Sequence, residues 1–230
     1  MIAVPITANT VAEAVKQIEL ANKDADVIEL RLDCFRELSE KDLKKIIGEC
    51  KKIIICTCRR KEEGGLFNEP ESKRIGVLKK CMKLNSDFID LEFGTNKTQK
   101  DKIFEYKKEH KLKTKIIISK HFYGFTPELQ ELEKLLAKMK KNADVVKIIT
   151  KANSHEDNKI IFSLLKLAKK KGIKLISFCM GKTGRDSRIL ALPLGSFLTF
   201  ASLEKGNESA DGQIPIIEMK KIYSGLRVMF

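Results

Sequence analysis

The amino-acid sequence predicts an α/β protein built as a (β/α)8 barrel, and three observations carry that prediction. Short apolar, β-branched runs recur eight times along 230 residues. Stretches with helical spacing lie between them. The runs are apolar almost throughout instead of alternating, as parallel strands covered on both faces by helices are. A doubly wound open sheet is the competitor. No Gly-x-Gly-x-x-Gly follows the first run, and no composition break marks a second domain, which favours the closed barrel. The length suits one such barrel, so residues 1–230 read as a single domain.

The eight predicted strands are residues 2–6, 27–32, 53–58, 88–93, 115–119, 145–150, 174–180 and 198–203. After the first, Val11, Ala12, Val15, Ile18 and Leu20 have helical spacing. The second ends Glu29-Leu30-Arg31-Leu32-Asp33, and period-two spacing puts these three charges on one face. The third ends at Arg59 and runs into Glu62-Glu63-Gly64-Gly65. The fifth ends Ser119-Lys120-His121, and Leu129, Leu132, Leu135, Leu136 and Met139 mark the helix after it. The sixth holds Lys147 inside Val145-Val146-Lys147-Ile148-Ile149. The seventh gives way to a polar stretch from Gly181 to Arg188, and the eighth to the small, polar segment 206–213, which reads as a lid or a plain surface loop. In a barrel these strand ends converge on one mouth, where function belongs.

Apolar residues make up 43% of the chain and charged ones 33%, and no run approaches the roughly 18 residues a membrane helix needs. The start, Met1-Ile2-Ala3-Val4-Pro5, carries no secretory signal pattern, so a cytoplasmic protein is expected. Six scattered cysteines fit free thiols, and Cys56-x-Cys58 without a second pair reads as small buried residues, not as a metal site. The net charge of +14 raises nucleic acid as a partner. The lysines, however, are spread over helix faces such as 41–52, 134–141 and 166–174, without interleaved aromatics, which argues against it. The apolar end, residues 226–230, suits a docking tail or a contact.

Lys147 stands out because an ammonium in an apolar pentapeptide is badly solvated. Either its stem snorkels to water, or burial favours the unprotonated amine, a nucleophile that forms Schiff bases with carbonyl carbons. The mouth adds an imidazole, carboxylates able to orient it, and several arginines, which grip carboxylate or phosphate in bidentate fashion. A small anionic substrate bearing a carbonyl is implied. Gly181-Lys182-Thr183 lacks the glycine a phosphate-binding loop requires, since Ile176 stands there.

In order and spacing these pieces resemble the type I 3-dehydroquinate dehydratase family, Schiff-base (β/α)8 lyases of the shikimate pathway leading to aromatic amino acids. The matching pieces are Glu29 to Asp33, Arg59 with Glu63-Gly64-Gly65, Asp90-Leu91-Glu92, Ser119-Lys120-His121, Val146-Lys147-Ile148, Met180-Gly181, Ser187-Arg188, and Ser209-Ala210 with Gly212-Gln213. The resemblance implies that Lys147 forms the imine, His121 acts as general base and acid, and Glu63 orients His121. It implies that Arg188 clamps the substrate carboxylate, with Glu29, Arg31, Arg59, Ser209 and Gln213 as further substrate contacts. Met180, Phe178 and Phe200 would form an apolar wall. It also implies a homodimer, and neither a cofactor nor a metal.

Three departures stand out. The chain starts at its first strand, so the N-terminal hairpin that closes the barrel floor in many members is expected to be missing. No hydroxyl occurs near Pro5 until Thr7, where many members carry a serine, and Phe178 replaces a frequent methionine. The rival enzyme reading is a class I aldolase, which also uses a lysine on the sixth strand. Many aldolases take phosphorylated substrates, and no glycine-rich phosphate site follows strands seven and eight here.

Overall fold

The computed structural model describes residues 1–206 and 208–229. Asn207 of the expected lid, and the side chains of the 226–230 tail beyond Leu226, lie outside the described residues. Strands and helices alternate: β1 Ile2–Ile6, α1 Val11–Asp24, β2 Val27–Arg31, α2 Glu40–Glu49, β3 Ile53–Thr57, α3 Glu71–Lys83, β4 Phe88–Glu92, α4 Lys97–Glu109. They continue as β5 Lys115–His121, α5 Leu129–Met139, β6 Val145–Lys151, α6 His155–Lys170, β7 Leu175–Met180, α7 Arg185–Leu190, β8 Thr199–Phe200 and α8 Ile216–Met229. Every paired strand runs parallel, in the order β7-β6-β5-β4-β3-β2-β1-β8, so the chain forms a nearly closed (β/α)8 barrel. No described helix is long and apolar enough to cross a membrane.

Local chemistry sets the helix starts. Thr10 Oγ1 accepts from the Glu13 N–H at 3.2 Å, and Ser39 with Asp42 forms a capping box that satisfies orphan donors of α2. Most of the longer helices then lay an apolar stripe against the sheet, as Leu132, Leu136 and Met139 of α5 do. Outward-facing strand residues such as Ile28, Leu30, Cys56 and Ile148 meet these helices in one large core. Inward-facing residues form a second, smaller core of Ala3, Val27, Ile55, Phe88, Ile117, Val145, Ile176 and neighbours inside the barrel.

The barrel interior is chemically divided above that floor. Inward positions of β2 to β5 carry Glu29, Arg31, Thr57, Asp90, Glu92, Ser119 and His121, whereas β7 and β8 offer Phe178, Met180 and Phe200. Strand β6 contributes one residue of each kind, Lys147 and Ile149.

Several strand ends shift by a residue, and three boundaries differ from expectation for identifiable physical reasons. Strand β2 ends at Arg31, and Leu32–Cys34 is a 3-10 turn, so Asp33 folds back onto Arg31 instead of continuing the period-two face. Strand β5 runs on to His121, because the ladder with β6 continues through His121 and Ile149. Strand β8 is only two residues long: beyond it the backbone of Ser202 pairs with Ile214 and Ile216, the returning end of the lid segment. Among the described residues, the join between β7 and β8 is a single backbone bond, Phe197 N–H to the Leu175 carbonyl at 2.7 Å, supplemented by Ser196 Oγ.

Candidate active site

A cavity opens at the mouth of the barrel. Among the residues singled out from the sequence, Glu29, Arg31, Arg59, His121, Lys147, Phe178, Met180, Arg188, Phe200, Ser209 and Gln213 all line it. Glu63 stands directly behind His121. Thr57, Gly64, Tyr123, Ile149 and Ala210 complete the lining.

Lys147 is 5% exposed, yet its surroundings differ from the apolar sheath its pentapeptide suggests. Its Nζ lies 3.1 Å from Asp90 Oδ2 and 3.3 Å from Glu29 Oε1, and 4.7 Å from the centre of the Phe200 ring. The strand pentapeptide is apolar because its neighbours face the helices; Lys147 itself faces across the barrel to carboxylates on β2 and β4. Those carboxylates are anchored in turn. Thr57 Oγ1 donates to Glu29 Oε1 at 2.8 Å, and Asp90 receives Ser119 Oγ at 2.5 Å and Arg59 NH2 at 2.7 Å. Burial alone would raise the Asp90 carboxyl, but Arg59, Lys147 and His121 together hold it well below the usual carboxylate range.

Arg59 is committed to this scaffold. Besides Asp90, its guanidinium donates to Ser119 Oγ at 2.8 Å and lies 3.3 Å from Glu92 Oε1. Glu92 also contacts the fully buried Arg74 of α3, whose remaining donors reach Glu71, Thr95 and the Cys58 carbonyl. A charge-paired web therefore runs from α3 to the amine in the cavity. Arg31 is likewise occupied, bonding both oxygens of Asp33 at 3.0 and 2.7 Å.

His121 makes a more directional contact. Glu63 Oε2 accepts the backbone N–H of His121 at 3.1 Å and lies 3.1 Å from its Nδ1. An ionised carboxylate only accepts, so Nδ1 carries the proton and Nε2 keeps its lone pair. Burial first, then the charges of Arg59 and Lys147, push the imidazole well below its ordinary value, with Asp90 opposing. His121 is thus neutral at neutral pH. The left-handed Gly64 (φ 73°) makes room for Tyr123, whose hydroxyl donates to the Glu63 carbonyl at 2.8 Å; a Cβ at Gly64 would fall 2.1 Å from that hydroxyl.

The opposite wall is apolar with one cation. Arg188 is 1% exposed, stacks 4.3 Å from the Phe178 ring centre, and has Nε and NH2 without a hydrogen-bond partner. Burial pushes it down to about 10, so it stays charged at neutral pH. A buried guanidinium with free donors facing a cavity is a receptor for an anion. Above it the loop bearing Ser209 and Gln213 is docked: Gln213 Nε2 donates to Ser209 Oγ at 3.0 Å, and the Gly181 N–H donates to the Asp211 carbonyl at 3.1 Å.

Asp90, Ser119 and Glu92 sat within quoted motifs without an assigned part, although acids on a strand as apolar as Phe88-Ile89-Asp90-Leu91-Glu92 are the same signal that marked Lys147. Thr57 and Tyr123 carried no such signal, a threonine in a strand and an aromatic in a loop being ordinary. Cys56 packs in the helix-facing core, and burial raises the thiols of Cys34 and Cys50 to about 11 and 12.

Comparison with known proteins matches this geometry to a family. The chain is 35% identical over 223 residues to the 3-dehydroquinate dehydratase of Methanocaldococcus jannaschii, covering 97% of each chain. It is 38% identical to that of Methanococcus vannielii, covering 96% of this chain and 98% of the relative. Among solved structures, the type I 3-dehydroquinate dehydratase of Clostridium difficile with covalent modified comenic acid superposes with a TM-score of 0.90 at 25% identity, covering 100% of this chain and 93% of that one. The enzyme of Aquifex aeolicus gives 0.79 at 30% identity, with 98% of both chains covered. The model of the type I 3-dehydroquinase family matches residues 2–229. With a buried strand-six amine, a neutral imidazole and an unpaired guanidinium around one cavity, the chain belongs to the type I 3-dehydroquinase family, whose members are hydro-lyases.

Proposed function

We propose that this protein, acting as one barrel domain, dehydrates 3-dehydroquinate to 3-dehydroshikimate through a Schiff base on Lys147. The observation that carries the reading is the placement of the Lys147 amine beside a neutral His121 in a cavity whose far wall presents unpaired donors of Arg188. Arg188 takes the substrate carboxylate, and Ser209 and Gln213 add hydrogen bonds from the lid. This fixes the ring so that its C3 ketone meets Lys147. Amine attack expels one water and leaves an imine, an electron sink that acidifies the C2 proton.

Nε2 of His121 removes that proton while Glu63 holds the ring in place through Nδ1. The imidazolium then protonates the departing C1 hydroxyl on the same face, giving syn loss of water. Hydrolysis of the product imine returns the amine and consumes one water, so the cycle releases one water overall. Glu29 is free to accept from a ring hydroxyl through Oε2, while Arg59 acts mainly by holding Asp90. Phe178, Met180 and Phe200 keep the imine dry. The structure of the Clostridium difficile relative, with covalent modified comenic acid, supports covalent chemistry in this family.

Borohydride added with 3-dehydroquinate is expected to increase the protein mass by one reduced adduct, mapped to Lys147 by peptide analysis and absent in Lys147→Ala. An adduct on Lys120 would overturn the assignment. Lys120 Nζ is engaged with Glu63 and the residue does not line the cavity.

A further inference from the structure

Glu63 divides its two carboxylate oxygens between two partners. Oε2 faces His121, while Oε1 accepts from Lys120 Nζ at 3.1 Å. The carboxylate is 2% exposed and the lysine side chain 32%, so the pair sits where the protein meets solvent and screening of Lys120 is incomplete. Strand alternation turns Lys120 away from the cavity, and its ammonium nonetheless reaches around the strand end to the far side of Glu63. From these contacts the geometry points to Lys120 as a positioning residue for the His121 base, clamping Glu63 and neutralising it so that it orients the imidazole without protonating it.

A buried carboxylate touching only an imidazole would favour the imidazolium. A cation on its other oxygen removes much of that pull. The remaining groups around His121 are Glu29 and Arg31 from β2, Arg59 at the end of β3, Asp90 from β4, Tyr123 beyond β5 and Lys147 from β6, while Arg60 NH2 and Glu63 Oε1 both flank Gly94. Beside these, Glu63 hydrogen-bonds the ring at Nδ1, so its charge balance has the most direct leverage on whether Nε2 takes up a proton. Lys120 also fixes the carboxylate plane: with Oε1 tied, rotation that would withdraw Oε2 from Nδ1 is blocked. The role rests on His121 serving as the base.

The test reads the imidazole itself. The chain has three histidines, and His110 and His155 are exposed references for an NMR titration of the rings. Replacing Lys120 with Met or with Gln is expected to raise the His121 midpoint by about one pH unit, the low end of what a nearby charge does to a buried group. Lys120→Arg should restore the wild-type midpoint. The acid limb of kcat/KM should move with it, leaving borohydride trapping at Lys147 intact. An unchanged midpoint in both neutral variants overturns the clamp. The catalytic reading fails separately, if His121→Ala turns over 3-dehydroquinate as wild type does.

Discussion

In the proposed mechanism, His121 is the residue through which pH acts on the site. Its imidazole is held neutral by burial and by Arg59 and Lys147, so the base form persists into mildly acid solution. Activity is expected to stay level through neutrality and to fall only below the ordinary histidine value of about 6.5. A pH profile of kcat/KM checks this, and a midpoint at or above 6.5 would contradict it. Replacing His121 with Ala should cut turnover by roughly 10²-fold or more, the usual scale of lost acid–base help, while reducible imine still forms at Lys147. Turnover assays and trapping on the same preparation separate the two steps.

At the scale of elements, the loop bearing Ser209 and Gln213 is held by close backbone contact with the loop after β7. Gly212 (φ 80°) lies where a Cβ would come 2.4 Å from the Gly181 carbonyl oxygen. Gly212→Ala is therefore expected to lift the segment that carries Ser209 and Gln213. The predicted result is a rise in KM with kcat/KM down about tenfold, since one to two kcal/mol of strain at a left-handed residue is of that order. The melting temperature should move little, because the loop contributes little to either core; a large drop would place the lid in the stability of the barrel.

Much of this arrangement was legible in the chain. The alternation of runs gave the barrel, and charged residues at inward positions of apolar strands, such as Glu29, Arg31 and Lys147, marked the mouth. What escaped was contact between distant elements. Nothing in the segment around Asp33 indicates that it will leave the strand and tie up Arg31. Arg59 reads as a substrate contact because its commitment to Asp90 and Glu92 depends on how three strands register. The apolar flanks of Lys147 describe its helix-facing neighbours and say nothing about the acids across the barrel. Strand β8 is short because a non-local pairing between Ser202 and residues 214–216 outcompetes its extension.

For the whole molecule, the buried charges tie stability to pH. Unfolded His121 takes up a proton near its ordinary value of about 6.5 while the folded imidazole does not, so the unfolded chain binds more protons and stability falls as pH drops through that value. Asp90 acts in the same direction at lower pH. Its folded carboxyl is held below the unfolded value of about 3.9, and the stability this confers above that value is lost as the solution is acidified through it. Thermal melts are thus expected to fall in two stages between neutrality and pH 3. His121→Ala should abolish the first stage and leave the second; an unaltered first stage would mean that another group governs it.

The β7–β8 join gives this fold a mechanical property. Seven pairings are continuous strand ladders, but the eighth is one backbone bond with serine support, so the hydrogen-bonded circuit resembles a coil with a clasp more than a hoop. Lys147 belongs to the β6 side of that clasp, whereas Ser209 and Gln213 follow β8. A molecule gripped by all three spans the weakest point of the circumference. A bound molecule would then act as a rivet, and the empty barrel would breathe first along that seam.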